Sequence, residues 1–104
     1  MELNNKTLKE YRRIGHQLDP VVIVANGLTD NVQAEINRAL TDHELIKVRV
    51  VTDDRVTKNA VIDEICSAQH AETVQVIGKI ALLYRAAENQ KPHLSNICRF
   101  RDNP

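Results

Sequence analysis

The chain has 104 residues, 42% hydrophobic and 27% charged. That composition suits one globular domain and argues against a disordered segment or a two-domain chain. Lys and Arg number 14, as do Asp and Glu, so a uniformly cationic nucleic-acid binder is excluded and only an uneven layout of charge would favour a polyanion. Two Tyr, one Phe and no Trp exclude a surface of stacked rings, and two cysteines cannot form a disulfide scaffold.

The elements follow in order. Thr7-Leu8-Lys9-Glu10 has the pattern of a capping box, and Leu8, Tyr11 and Ile14 then repeat at helical spacing. Lys6, Lys9, Arg12, Arg13 and His16 fall mostly off that stripe, so the first helix carries a basic outer face. Gly15 and Pro20 bracket its end. Val21-Val22-Ile23-Val24 is β-branched without alternation and reads as a strand covered on both faces. Asn26-Gly27 turns the chain, Thr29 caps a second helix, and Val32, Ile36, Ala39 and Leu40 form its apolar stripe up to His43-Glu44.

Residues 45–51 alternate, with Ile46, Val48 and Val50 on one face and Lys47, Arg49 and Val51 on the other. Asp53 or Asp54 caps a third helix whose apolar positions are Val61, Ile62, Ile65, Cys66 and Ala68, with Arg55, Lys58, Asp63 and Glu64 outside. Two strands, 74–77 and 80–85, flank Gly78-Lys79, a two-residue loop suited to a type II′ hairpin. Residues 87–104 are polar and aperiodic and are expected to form a flexible basic tail behind a domain of residues 1–86. The order α-β-α-β-α-β-β predicts an α/β (α+β) sandwich. Right-handed strand–helix–strand crossovers and a final antiparallel hairpin give a compact four-stranded mixed sheet.

Charge alternates in blocks along this order. Residues 1–18, 47–58 and 79–101 are net basic, and 19–46 and 59–78 net acidic. If the basic blocks meet in space, the molecule is bipolar with one cationic face. Catalysis finds no support: there is no nucleophile elbow, phosphate-binding Walker loop or dinucleotide motif. Asp53-Asp54 reads as helix capping. Cys66 and His70 stand one helical turn apart but no second ligand pair accompanies them, so no metal and no cofactor is expected. The turn Asn26-Gly27-Leu28-Thr29 could present free N–H groups of the second helix to a phosphate, or be a plain capped turn.

Five segments in order resemble the CRM domain (chloroplast RNA splicing and ribosome maturation) in its bacterial single-domain, YhbY-type form. They are Gly15-His16-Gln17-Leu18-Asp19-Pro20, Asn26-Gly27-Leu28-Thr29, and His43-Glu44-Leu45-Ile46-Lys47-Val48, then Asp54-Arg55 with Thr57-Lys58, and Val76-Ile77-Gly78-Lys79 leading to Leu82-Leu83-Tyr84-Arg85. The resemblance implies a fold similar to the C-terminal domain of translation initiation factor three, and RNA binding in assembly of the large ribosomal subunit. It maps the family's KH-like glycine loop onto the turn before the second helix. That turn is one residue shorter here: Gly27 matches the second glycine, and Val24 or Ala25 stands near the place of the first. Asp19 occupies a position where members often carry Lys.

The expected activity is therefore non-catalytic binding of ribosomal RNA in large-subunit precursors, by a monomer in the cytoplasm that uses neither DNA nor membrane. No run of about 18 apolar residues and no apolar leader is present. Lys9, Arg12, Arg13, His16, Asn26, Gly27, Leu28, Thr29, Lys47, Arg49, Arg55, Lys58, Lys79 and Arg85 are the expected RNA contacts. Aromatics being few, backbone and shape would dominate over base stacking. The alternative is a protein–protein adaptor that docks through the bipolar surface.

Overall fold

The computed structural model describes residues 3–101; the first two residues of the expected domain and 102–104 of the expected tail lie outside the described residues. The elements are α1 (Asn5–Gly15), β1 (Pro20–Val24), α2 (Asp30–His43), β2 (Leu45–Val50), α3 (Arg55–Gln69), β3 (Glu72–Ile77), β4 (Ile80–Tyr84) and α4 (Asn96–Arg101). The sheet order is β1-β2-β4-β3, with β1 parallel to β2 and the other pairs antiparallel. This is the expected mixed sheet, with one helix more.

Capping explains the starts of the first three helices. Thr29 Oγ1 accepts from Val32 N at 3.2 Å, and the Asp54 carboxylate accepts from the backbone N–H groups of Val56 and Thr57. The first helix differs from expectation: Asn4 caps it, accepting from Thr7 N at 2.8 Å, so the helix begins before the Thr7 pattern. The Asx side chain one turn earlier accepts from Thr7 N–H, so Thr7 lies inside the helix instead of capping it. At the hairpin, Gly78 alone of the two central residues has positive φ, as a type II′ turn requires.

Two cores sandwich the sheet. On one face α2 and α3 pack Ile36, Leu40, Ile62 and Ile65 against Val22, Val24, Ile46, Val48, Val50, Ala81 and Leu83. Gln69 is buried in α3 while Ala68 is exposed, which displaces the expected end of that apolar stripe by one residue. On the other face α1 and α4 pack Ile14 and Ile97 against Leu45, Val74 and Leu82. Gly15 permits this: a Cβ there would stand 2.5 Å from Leu82 Cδ2.

Cover on that second face is partial. β1 was expected to be buried on both sides, but Val21 and Ile23 are 51% and 60% exposed while Val22 and Val24 are buried. β1 is an edge strand, and neither α1 nor α4 reaches over Ile23.

The segment expected as an aperiodic tail instead folds back as far as Arg101. Its anchor is Glu44, a buried carboxylate at positive φ just after α2. Glu44 accepts from Ala87 N at 2.8 Å, Gln90 Nε2 at 2.6 Å and Ser95 Oγ at 2.6 Å. Asn96 Nδ2 donates to Leu45 O, and Ile97 completes the second core. A polar segment can dock this way because the donors it turns inward meet a buried carboxylate.

Candidate nucleic-acid interface

Cross-strand pairing sorts the residues of the partly open face into rows. Lys47 pairs with Leu82, and Leu82 with Gln75; one pleat further, Ile23 pairs with Arg49, Arg49 with Ile80, and Ile80 with Ile77. Partners share a face, so Lys47, Gln75, Arg49, Ile80 and Ile77 all point to the α1 side. A register shift between Thr73 and Gln75 makes this possible. The extra residue, Val74, turns into the α1 core, and every later β3 side chain changes face.

The helix contributes the rest. Lys9, Arg12, Arg13, His16 and the neighbouring Lys6 border one shallow depression with Gln75. His16 and Gln75 also border a deeper recess of about 130 Å³, whose other borders include Gly15 and Lys47. The Arg12 guanidinium is steadied by donation from Nε to Val74 O at 3.3 Å. The two basic segments far apart in the chain thus meet where the C-terminal half of α1 crosses β2 and β3. Glu10 is the acid within this group. Asp30, Glu35, Asp42, Asp63 and Glu64 belong to the helices on the opposite face of the sheet.

A second group lies at the carboxyl ends of β1 and β2. Val51 N donates to Val24 O and Val50 N to Lys79 O, which draws the loops after β1, β2 and β3 together. Asn26 and Gly27 are exposed, and Gly27 has φ +88°, but Leu28 turns in against the larger core. Lys58 Nζ donates to Gly78 O at 2.7 Å, Lys79 Nζ lies 3.9 Å from Asp53, and Arg55 is exposed. This group mixes signs. Hydrogen bonds from Thr57, its hydroxyl first and its backbone N–H next, hold the Asp54 carboxyl below the usual carboxylate range, so it stays ionised beside these cations.

Of the third basic segment Lys79 joins this second group, but Arg85 and Lys91 do not. Arg85 reaches to the α2–α3 side, where Nη1 donates to Gln69 O and Oε1 and Nη2 donates to Asn37 O and Thr41 Oγ1. Burial pulls its pKa down, and its donors brace two helices. Lys91 forms an ion pair with Asp42. Sequence reasoning passed over Gln75, Ile77 and Ile80. Gln75 and Ile77 owe their side of the sheet to the bulge at Val74, which has no local signature, and Ile80 lies in an apolar strand whose sequence shows no alternation.

Cys66 is half-buried, its Sγ 3.3 Å from Thr73 Oγ1, and burial pushes its thiol pKa up. His70 caps α3 in the left-handed region. No group of three or more potential metal ligands stands together among the described residues. No helix among them is long and apolar enough to cross a membrane.

A family model of the CRS1/YhbY (CRM) domain matches residues 3–85. The chain belongs to the CRM domain family. This CRM domain is 48% identical over 101 residues to a probable RNA-binding protein of Pseudomonas aeruginosa, covering 96% of this chain and 97% of that one. It is 45% identical over 93 residues to an RNA-binding protein of Haemophilus influenzae, covering 88% and 94%. A solution structure of a Staphylococcus aureus protein superposes with TM-score 0.74 at 30% identity, covering 86% of this chain and 95% of that one.

Proposed function

We propose that this CRM domain binds RNA without catalysing a reaction, and that it does so through the face where α1 crosses the sheet. One observation carries the reading: Lys9, Arg12, Arg13 and His16 of α1 border the same continuous surface as Lys47, some thirty residues later in the chain. Five cationic or titratable side chains on a rigid helix–sheet junction suit a phosphate backbone. Arg49 extends the surface along the open sheet. Asn26, Gly27, Thr29, Arg55, Lys58 and Lys79 form a second patch that a long RNA would reach. The names of the relatives from Pseudomonas and Haemophilus point the same way. The biological ligand in this proposal is ribosomal RNA in precursors of the large subunit, bound by a monomer in the cytoplasm during assembly.

The test is a salt titration. Arg12→Glu/Arg13→Glu should fold normally, bind RNA more weakly, and lower the slope of log affinity against log salt by roughly 0.7–0.9 per lost phosphate contact. A folded double variant with unchanged affinity and slope would remove this face from consideration. Ribonuclease treatment separates RNA binding from the adaptor alternative. It should abolish co-sedimentation with large-subunit precursors, and co-sedimentation that survives favours a protein partner.

A further inference from the structure

The recess beside the C-terminal end of α1 differs from the charged surface around it. Ile77, Ile80 and Leu82 form its apolar walls, and Gly15 closes it on the helix side. His16, Lys47 and Gln75 stand with them, and no acid among the described residues lines it. At about 130 Å³ it is close in size to the roughly 150 Å³ apolar cavity that accepts a benzene molecule. That volume is on the scale of a single planar ring. A Cβ at Gly15 would intrude on the Leu82 wall.

The polar groups at its mouth are uncommitted. Among the described residues the side chains of His16, Lys47 and Gln75 make no hydrogen bond or ion pair. The Gln75 amide offers two donors and an acceptor, the complement of a base edge. Lys47 offers a charge to a neighbouring phosphate. Tyr11 and Tyr84 are packed on each other with ring centroids 4.8 Å apart, so they leave the aliphatic walls as the apolar contact available here.

We infer that this recess seats one unpaired nucleobase of a bound RNA. The ring lies against Ile77, Ile80 and Leu82, Gln75 bonds its edge, and Lys47 holds the adjoining phosphate. The inference rests on RNA binding by the surrounding basic face and adds the class of RNA: one with a base out of the stack, not a continuous duplex. Such recognition targets bulges and loops, where an unstacked base can be splayed outward.

The experiment compares three kinds of RNA duplex with the full chain. One kind carries a single bulged nucleotide, each of the four bases in turn; one carries an abasic bulge at the same place; one is fully paired. For at least one base, binding should be about fivefold or more tighter than to the abasic duplex, in keeping with one net hydrogen bond to the base edge. The δ1 methyl NMR signals of Ile77 and Ile80 should move with that duplex and stay in place with the abasic one. Gln75→Leu should erase the preference for the base-bearing bulge over the abasic one. If every duplex binds with one affinity and the Ile77 and Ile80 methyls do not move, the base seat is refuted while RNA binding stands. If none binds, RNA binding by this face is refuted and the base seat with it.

Discussion

Replacing Glu44 by Ala should release the C-terminal segment from the sheet. Glu44 is 3% exposed, and its carboxylate accepts from Ala87 N, Gln90 Nε2 and Ser95 Oγ. A hydrogen bond to a charged acceptor contributes roughly 1.5–3 kcal/mol. Three of them cannot simply be added, because the segment can come away and let water take over its donors. The loss is then capped by the free energy that docks the segment, of which burial of Ile97 contributes about 1.5–3 kcal/mol. We expect Glu44→Ala to cost about 2–4 kcal/mol in urea unfolding. Amide exchange should rise at Ala87, Ser95 and Arg99 before it rises in the central strands. Glu44→Gly should lose about 1 kcal/mol less than Glu44→Ala, since Glu44 sits at φ +62° where glycine is unstrained. Unchanged amide exchange at 87–99 in the Ala variant would refute the anchoring role of the carboxylate.

Gly15→Ala forces Leu82 to move, because the new Cβ would lie 2.5 Å from Leu82 Cδ2. Overpacking of about 1–3 kcal/mol should outweigh the gain in helix propensity, and an unchanged unfolding midpoint would deny the close approach. Arg85→Ala should lower stability by about 1–3 kcal/mol through loss of the α2–α3 brace, with the salt slope of RNA binding unchanged; a slope reduced as in the Arg12/Arg13 variant would place Arg85 among the phosphate contacts. Asp54 has a native pKa lowered from 3.8, chiefly by the Thr57 hydroxyl and then by backbone N–H groups. Its ionised form is favoured in the fold, so its contribution is complete above pH 3.8 and is lost as pH falls through the lower native value. The stability difference between wild type and Asp54→Ala should therefore be constant near neutral pH and shrink in acid. A difference that grows on acidification would reverse the assigned sign.

Local chemistry alone determined most of the framework. Period-two alternation in 45–50 set Lys47 and Arg49 on the face opposite Ile46 and Val48. Thr29 and Asp54 marked two helix starts, Gly78 marked the hairpin, and the strand–helix–strand order imposed the parallel pair β1–β2. These features depend on neighbours a few residues apart, so the chain displays them directly.

What needed the tertiary structure was every contact whose partner lies far along the chain. Arg85 looks like another surface cation until Gln69, Asn37 and Thr41 claim its donors. The polar run after 86 looks unstructured until the buried charge of Glu44, more than forty residues earlier, satisfies it. Gln75 reaches the recess only because Val74 bulges and inverts the alternation after it. Periodicity names the faces of an element, but the free energy of long-range packing decides which face meets which neighbour.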